Sequence, residues 1–189
     1  MIQLAQIRRA LADYRPRQIP RGDMRAAAVL VPLFEDAAPS GSLHLLLTRR
    51  TELVRTHRGQ VSFPGGKMDT ADIDARTCAL REAQEEVGLA PTSVEIIGQL
   101  DDCPTVVSNF LITPVVGIIA PGTARNASAH EIAELIDLPL EDFLKPGVLQ
   151  TERTQRGTHF GFLHFYTVRG NLVWGATARI LHRLLEVVA

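Results

Sequence analysis

The nine residues Arg81-Glu82-Ala83-Gln84-Glu85-Glu86-Val87-Gly88-Leu89 carry three carboxylates, a guanidinium and a glycine stop in one phrase. A helix advances about 100° per residue, so Glu82, Glu85 and Glu86 share a face. Carboxylates packed this closely repel one another, and a hard divalent cation with oxygen ligands supplies the missing counter-charge. Arg81 and Glu85 stand one helical turn apart and can pair, which would hold the glutamate in place. Gly88 supplies the left-handed residue that ends a helix, and Pro91 prevents its continuation. Just upstream, Phe63-Pro64-Gly65-Gly66 forms a turn with nothing bulky in it, so its backbone can approach a ligand closely. Asp74 or Asp72 caps the helix, and Ala75, Cys78, Ala79 and Ala83 are small enough to pack tightly on a sheet.

Further back, Arg49, Arg50, Arg55 and Arg58 bring four guanidiniums within ten residues, with His57 among them. A guanidinium fork donates two bonds to one phosphate, so this stretch suits an anion clamp. A solvated basic loop is the plainer alternative.

The 81–89 phrase resembles the core of the Nudix box, the signature of hydrolases acting on a nucleoside diphosphate linked to another group. The stretch Leu46-Leu47-Thr48-Arg49-Arg50, continuing from Arg55-Thr56-His57-Arg58-Gly59-Gln60-Val61-Ser62 into Phe63-Pro64-Gly65-Gly66, resembles the extra signature of the coenzyme A diphosphatase branch. In the general box a Gly stands fourteen residues before the Arg and a Glu six after that Gly. Here those places hold Lys67 and Ile73, and the loop carries Asp69, Asp72 and Asp74 instead. The coenzyme A branch has this longer loop. The resemblance implies an α/β fold, the Nudix-type α/β/α sandwich with a mixed β-sheet. It implies Mg²⁺ or Mn²⁺, with Glu82 and Glu86 as direct ligands, Glu85 sharing or orienting the site, and the Gly66 carbonyl as a backbone ligand. Glu82, Glu85 and Glu131 are the expected catalytic acids, with Glu82 or Glu131 as proton acceptor. Arg49, Arg55, Arg58 and Gly65 are the expected substrate contacts. The implied reaction splits coenzyme A into 3′,5′-ADP and 4′-phosphopantetheine. A Nudix hydrolase of another nucleoside diphosphate derivative, or an inactive ligand-binding Nudix domain, are the alternatives.

The 189 residues suffice for one domain, read as an N-terminal helix and linker over 1–22 and a catalytic domain over 23–189. Apolar residues make up 46% of the chain, enough for a sizeable core. A net charge of −1 provides no field for nucleic acid. Cys78 and Cys103 match no zinc spacing and read as free thiols of a reducing compartment, hence a cytoplasmic protein. No apolar stretch is long enough to span a bilayer, and no secretion signal or peroxisomal address is expected. A small-molecule substrate and a monomer or homodimer complete the expectation.

Along the chain, Leu4, Ile7 and Leu11 predict a short amphipathic helix over 3–13 that caps the domain. Strands are expected at 26–34, 43–48, 94–100, 111–119 and 160–168, the first two paired. Pro114 argues for an edge position or a bulge. Residues 51–66 read as one long loop and 151–158 as a polar hairpin tip. A strand at 130–138, with Ile132, Leu135 and Leu138 as core candidates, leads into a short helix at 139–144. Phe160, Phe162, Phe165 and Tyr166 read chiefly as core rings, with stacking on adenine as the alternative. The stretch 172–178 opens the last helix, with Ile180, Leu181, Leu184 and Leu185 facing inward. His44, His57, His159, His164 and His182 form no ligand spacing.

Overall fold

In the computed structural model, residues 2–36, 41–52, 59–105, 107–156 and 159–188 are described. Arg55, His57 and Arg58 lie outside them. The elements in order are α1 (Leu4–Asp13), β1 (Arg25–Glu35), β2 (Leu43–Arg50), β3 (Val61–Ser62), β4 (Gly65–Lys67) and α2 (Ala75–Val87). They continue with β5 (Val94–Gln99), β6 (Cys103–Pro104), β7 (Phe110–Ile119) and β8 (Ile132–Pro139). The chain ends with β9 (Leu149–Arg156), β10 (His159–Val168), β11 (Asn171–Val173) and α3 (Gly175–Val188).

Eight strands form a mixed sheet whose main path runs β3-β2-β1-β7-β5, with β8 on β2, β4 on β1 and β6 on β7. Strand β1 pairs parallel with β7 and antiparallel with β2. Its unbroken apolar run follows from burial on both faces. Ala28 and Leu30 enter a cluster with Cys78, Ala79, Ala83 and Val87 of α2. Val31 and Leu33 enter the larger cluster with Ile7, Leu11, Leu181 and Leu184 of α1 and α3. The sheet is thus sandwiched between α2 on one side and α1 with α3 on the other. Strands β9, β10 and β11 make a separate antiparallel sheet against α3.

Several expectations are corrected. Pro114 is not on an edge: β7 lies between β1 and β5. Pairing with β5 ends at Val115 and pairing with β6 begins at Ile112, so the missing N–H falls in the gap between two short strands. The Leu100 N–H still donates to the Pro114 carbonyl at 3.0 Å on that side. The stretch 51–66 is not one loop, because β3 pairs with β2 inside it. Residues 149–156 form strand β9 rather than a tip. The last helix starts at Gly175, after β11 has paired with β10 through the tight turn Arg169-Gly170, where both residues have positive φ. Among the aromatic rings Tyr166 is buried, but Phe162 is 64% exposed and so is not a core ring.

Candidate functional site

Helix α2 begins where the Asp74 carboxylate accepts the Thr77 N–H at 2.8 Å, and it ends at Gly88 with φ 70°. Its small residues sit flush on β1, which aims the next helical stripe at the turn before β4. Strand β4 pairs with β1 so that Gly65 lies opposite Val29 and Gly66 opposite Ala28. A Cβ on Gly65 would lie 2.4 Å from the Ala28 carbonyl oxygen, so the strand crossing itself demands glycine there. A Cβ on Gly66 would lie 2.6 Å from the carboxyl of Glu82. The second glycine therefore makes room for an acid rather than for backbone.

Glu86 is nearly buried, its side chain 6% exposed. Its carboxylate accepts the Gly65 N–H at 3.0 Å and faces the Arg50 guanidinium at 3.4 Å. Burial raises its pKa from 4.5 to about 7, against the pull of the Gly65 N–H and Arg50 and with the repulsion of Glu82 and Glu131. Burial also raises the pKa of Glu82, and its partner Arg81 only partly offsets this. Glu82 meets Arg81 at 2.8 Å. Glu85 is 61% exposed and meets Arg81 at 3.2 Å, in the pairing expected of i and i+4. Glu131 reaches the same locus from the start of β8, facing Arg50 at 3.4 Å.

Glu82, Glu86, Gly65 and Gly66 are thus brought together, with Glu131 joined to them through Arg50. Arg49 is directed elsewhere: it donates to Glu134 at 2.9 Å and to Asn171 at 2.5 Å. The Gly66 carbonyl accepts a weak S–H donation from Cys78 at 3.8 Å. Two residues outside the expected ligands and substrate contacts matter here, one of them among the four clamp guanidiniums and the other a candidate helix cap. Strand alternation separates Arg50 from Arg49, and the packing of β2 then decides which of them meets the site. Leu45 and Leu47 of β2 face α3, whereas Leu46 faces α2, so Arg50 shares the α2 side and Arg49 does not. Asp72 is the other. Its side chain is 1% exposed and takes two bonds from Arg81 at 3.0 Å. The Arg81 contact holds its carboxyl down at about 2. The box position for a Glu falls on Ile73, which is 89% exposed, and its acid is moved one residue back. Asp72→Ala is expected to cost about 2 kcal/mol, because it leaves Arg81 without its buried partner. It is also expected to lower kcat, as Arg81 swings fully onto Glu82. Unchanged melting and turnover together would remove this role.

The oxygen donors fit a hard divalent cation: two half-buried or buried carboxylates with raised pKa lie against a backbone turn. As they stand, no three His, Cys, Asp or Glu among the described residues are gathered as a ready cage. Such an ion keeps several waters and needs few protein ligands. Both thiols are free and buried. Burial pushes Cys78 up to about 12 and raises Cys103 too, against the pull of Arg179. Among the described residues no helix is long and apolar enough to cross a membrane.

Beside Gly65 and Gly66 opens a cavity of about 290 Å³ that reaches between β7 and α3.

The NUDIX domain family matches residues 24–157. The chain is 43% identical to the uncharacterized Nudix hydrolase NudL of Citrobacter koseri, over 85% of this chain and 81% of that one. It is 42% identical to the NudL of Pectobacterium atrosepticum, over 89% and 85%. Its fold is similar to a Caenorhabditis elegans Ap4A hydrolase in a binary complex, with a TM-score of 0.51 at 20% identity over 62% of this chain and 82% of that one. A MutT/nudix family protein of Enterococcus faecalis also superposes with a TM-score of 0.51, at 14% identity over 99% and 68%. Nudix hydrolases are in general divalent-metal-dependent. The glutamate helix, the glycine turn and these likenesses agree: the chain belongs to the Nudix family and is a hydrolase of nucleoside diphosphate derivatives.

Proposed function

We propose that the enzyme is a coenzyme A diphosphatase, releasing 3′,5′-ADP and 4′-phosphopantetheine. The observation that carries the chemistry is the meeting of Glu82 and Glu86 with the Gly65-Gly66 turn, whose glycines also line a cavity. The preference for coenzyme A rests on the likeness of 46–66 to that branch's signature. Glu82 and Glu86 would hold Mg²⁺ or Mn²⁺, with Glu85 and the Gly66 carbonyl completing or orienting the set. The bound ion supplies charge neutralisation at the diphosphate oxygens and acidifies water. Glu86 is held in place by the Gly65 N–H, and Glu82 or Glu131 accepts the proton of the attacking water. Arg50, which faces Glu86 and Glu131 and lines the cavity beside the turn, is a further phosphate contact. Gly65, Arg49, Arg55 and Arg58 remain proposed substrate contacts. The reaction runs in the reducing cytoplasm, in a monomer or homodimer.

Incubating the purified protein with coenzyme A and Mg²⁺ or Mn²⁺ is expected to yield the two named products by mass. Cleavage of ADP-ribose or a dinucleotide with coenzyme A untouched would shift the substrate and keep the chemistry. No turnover of any diphosphate would favour an inactive binding domain.

A further inference from the structure

The cavity beside the Gly65-Gly66 turn is asymmetric. Its charged lining groups among the described residues, Arg50 and Lys67, belong to the turn end. Beyond them the lining is neutral: Ile112, Ala176 and Ile180 supply apolar wall, Thr177 and Ser108 supply hydroxyls, and the Thr105 hydroxyl is taken up by Ser108 and the Phe110 backbone. Phe110 offers little to a purine, because the Arg25 guanidinium lies 4.0 Å over its ring and donates to the Ser108 carbonyl at 2.8 Å. The volume of about 290 Å³ lies near the low end of ligand pockets, roughly 300–1,000 Å³.

We propose that this cavity receives the uncharged, amide-bearing chain of the substrate, the pantetheine arm, and leaves the 3′-phosphorylated nucleoside outside. The inference rests on the coenzyme A reading above. The two halves of coenzyme A make different demands. The nucleoside half brings a 3′-phosphate, and the guanidinium nearest the neutral end, Arg25, is already engaged by the Phe110 ring and the Ser108 carbonyl, so a phosphate there would lose water without gaining a free cation. The pantetheine half brings two amides and methyl groups. These need only apolar surface and neutral donors and acceptors, and a hydroxyl can serve as both. Arg50 and Lys67 at the turn end stand where the diphosphate joins the arm.

The test fills the cavity from two sides, with Ala176→Leu on α3 and Ile112→Phe on β7. Binding of 4′-phosphopantetheine and of 3′,5′-ADP is measured by calorimetry, and turnover of coenzyme A is followed alongside. In both variants 4′-phosphopantetheine is expected to bind at least tenfold more weakly, while 3′,5′-ADP changes less than threefold. Equal loss for both ligands, loss for 3′,5′-ADP alone, or no change overturns the proposal. A second measurement needs no variant. On the wild-type enzyme 4′-phosphopantothenate, which ends in a carboxylate, is expected to bind at least fivefold more weakly than 4′-phosphopantetheine. Equal or tighter binding sinks the neutral-pocket assignment. Absence of coenzyme A turnover by the wild type is a different failure, one that removes the substrate reading and the arm's place with it.

Discussion

Glu86→Gln lowers kcat at least ~100-fold and yet stabilises the metal-free protein. The first effect follows from the ligand role: glutamine keeps the shape and the bond from Gly65 but loses the charge that grips a cation. A hundredfold loss corresponds to about 2.7 kcal/mol of transition-state stabilisation. The second follows from linkage. Burial lifts the Glu86 pKa from 4.5 to about 7, so the native state binds its proton more tightly than the unfolded chain does. Native stability is then greatest below pH 4.5 for this group, falls as pH rises from 4.5 to 7, and stays reduced above 7. At about 1.4 kcal/mol per pH unit the penalty approaches ~3 kcal/mol when the group is fully ionised. Melting of the wild type without metal should therefore drop across that window, and the glutamine variant should melt higher at pH 8. Added Mg²⁺ should narrow the gap by favouring the ionised carboxylate. Turnover within a few fold of wild type would refute the ligand role, whatever the melting curves show.

Gly65→Ala and Gly66→Ala should fail in different ways, although the two glycines are neighbours. At Gly65, φ is 154° and a Cβ would fall 2.4 Å from the Ala28 oxygen and 2.6 Å from the Val29 Cα. Those are backbone atoms of the central strand, so relief requires β1 and β4 to separate. A loss of ~3 kcal/mol or more is expected. For a chain of this size that is about 10 °C in Tm. At Gly66 the Cβ would instead meet the Glu82 carboxyl at 2.6 Å, and a side-chain end can swing away. Gly66→Ala should melt within about 3 °C of wild type and lose at least ~30-fold in kcat, about 2 kcal/mol. A folded, active Gly65→Ala, or a fully active Gly66→Ala, would show that the turn is looser than its geometry implies.

Helix α2 was legible because each local signal agreed: cap, small packing stripe, acid spacing and glycine stop all lie within fifteen residues of one another. Strands β1 and β7 were legible from unbroken apolar runs, and β10 from alternation. The short strands β3, β4 and β11 were not, because two or three residues carry no period, and their existence depends on the neighbour that pairs with them. The exposure of Phe162 was equally invisible, since it depends on what packs over β10 rather than on its own chemistry.

By itself the sequence determined the family, the acid-bearing helix and the glycine turn, because those are set by contacts close along the chain. Only the tertiary structure decided which arginine serves the site and which acid braces the helix. Arg49 and Arg50 are adjacent in sequence but lie on opposite sides of one strand. Asp72 pairs with Arg81 only because the preceding loop folds back over the helix. Alternation along the strand separates the two arginines, but which face of the sheet meets α2, and the path of an irregular loop, are set by packing between distant segments.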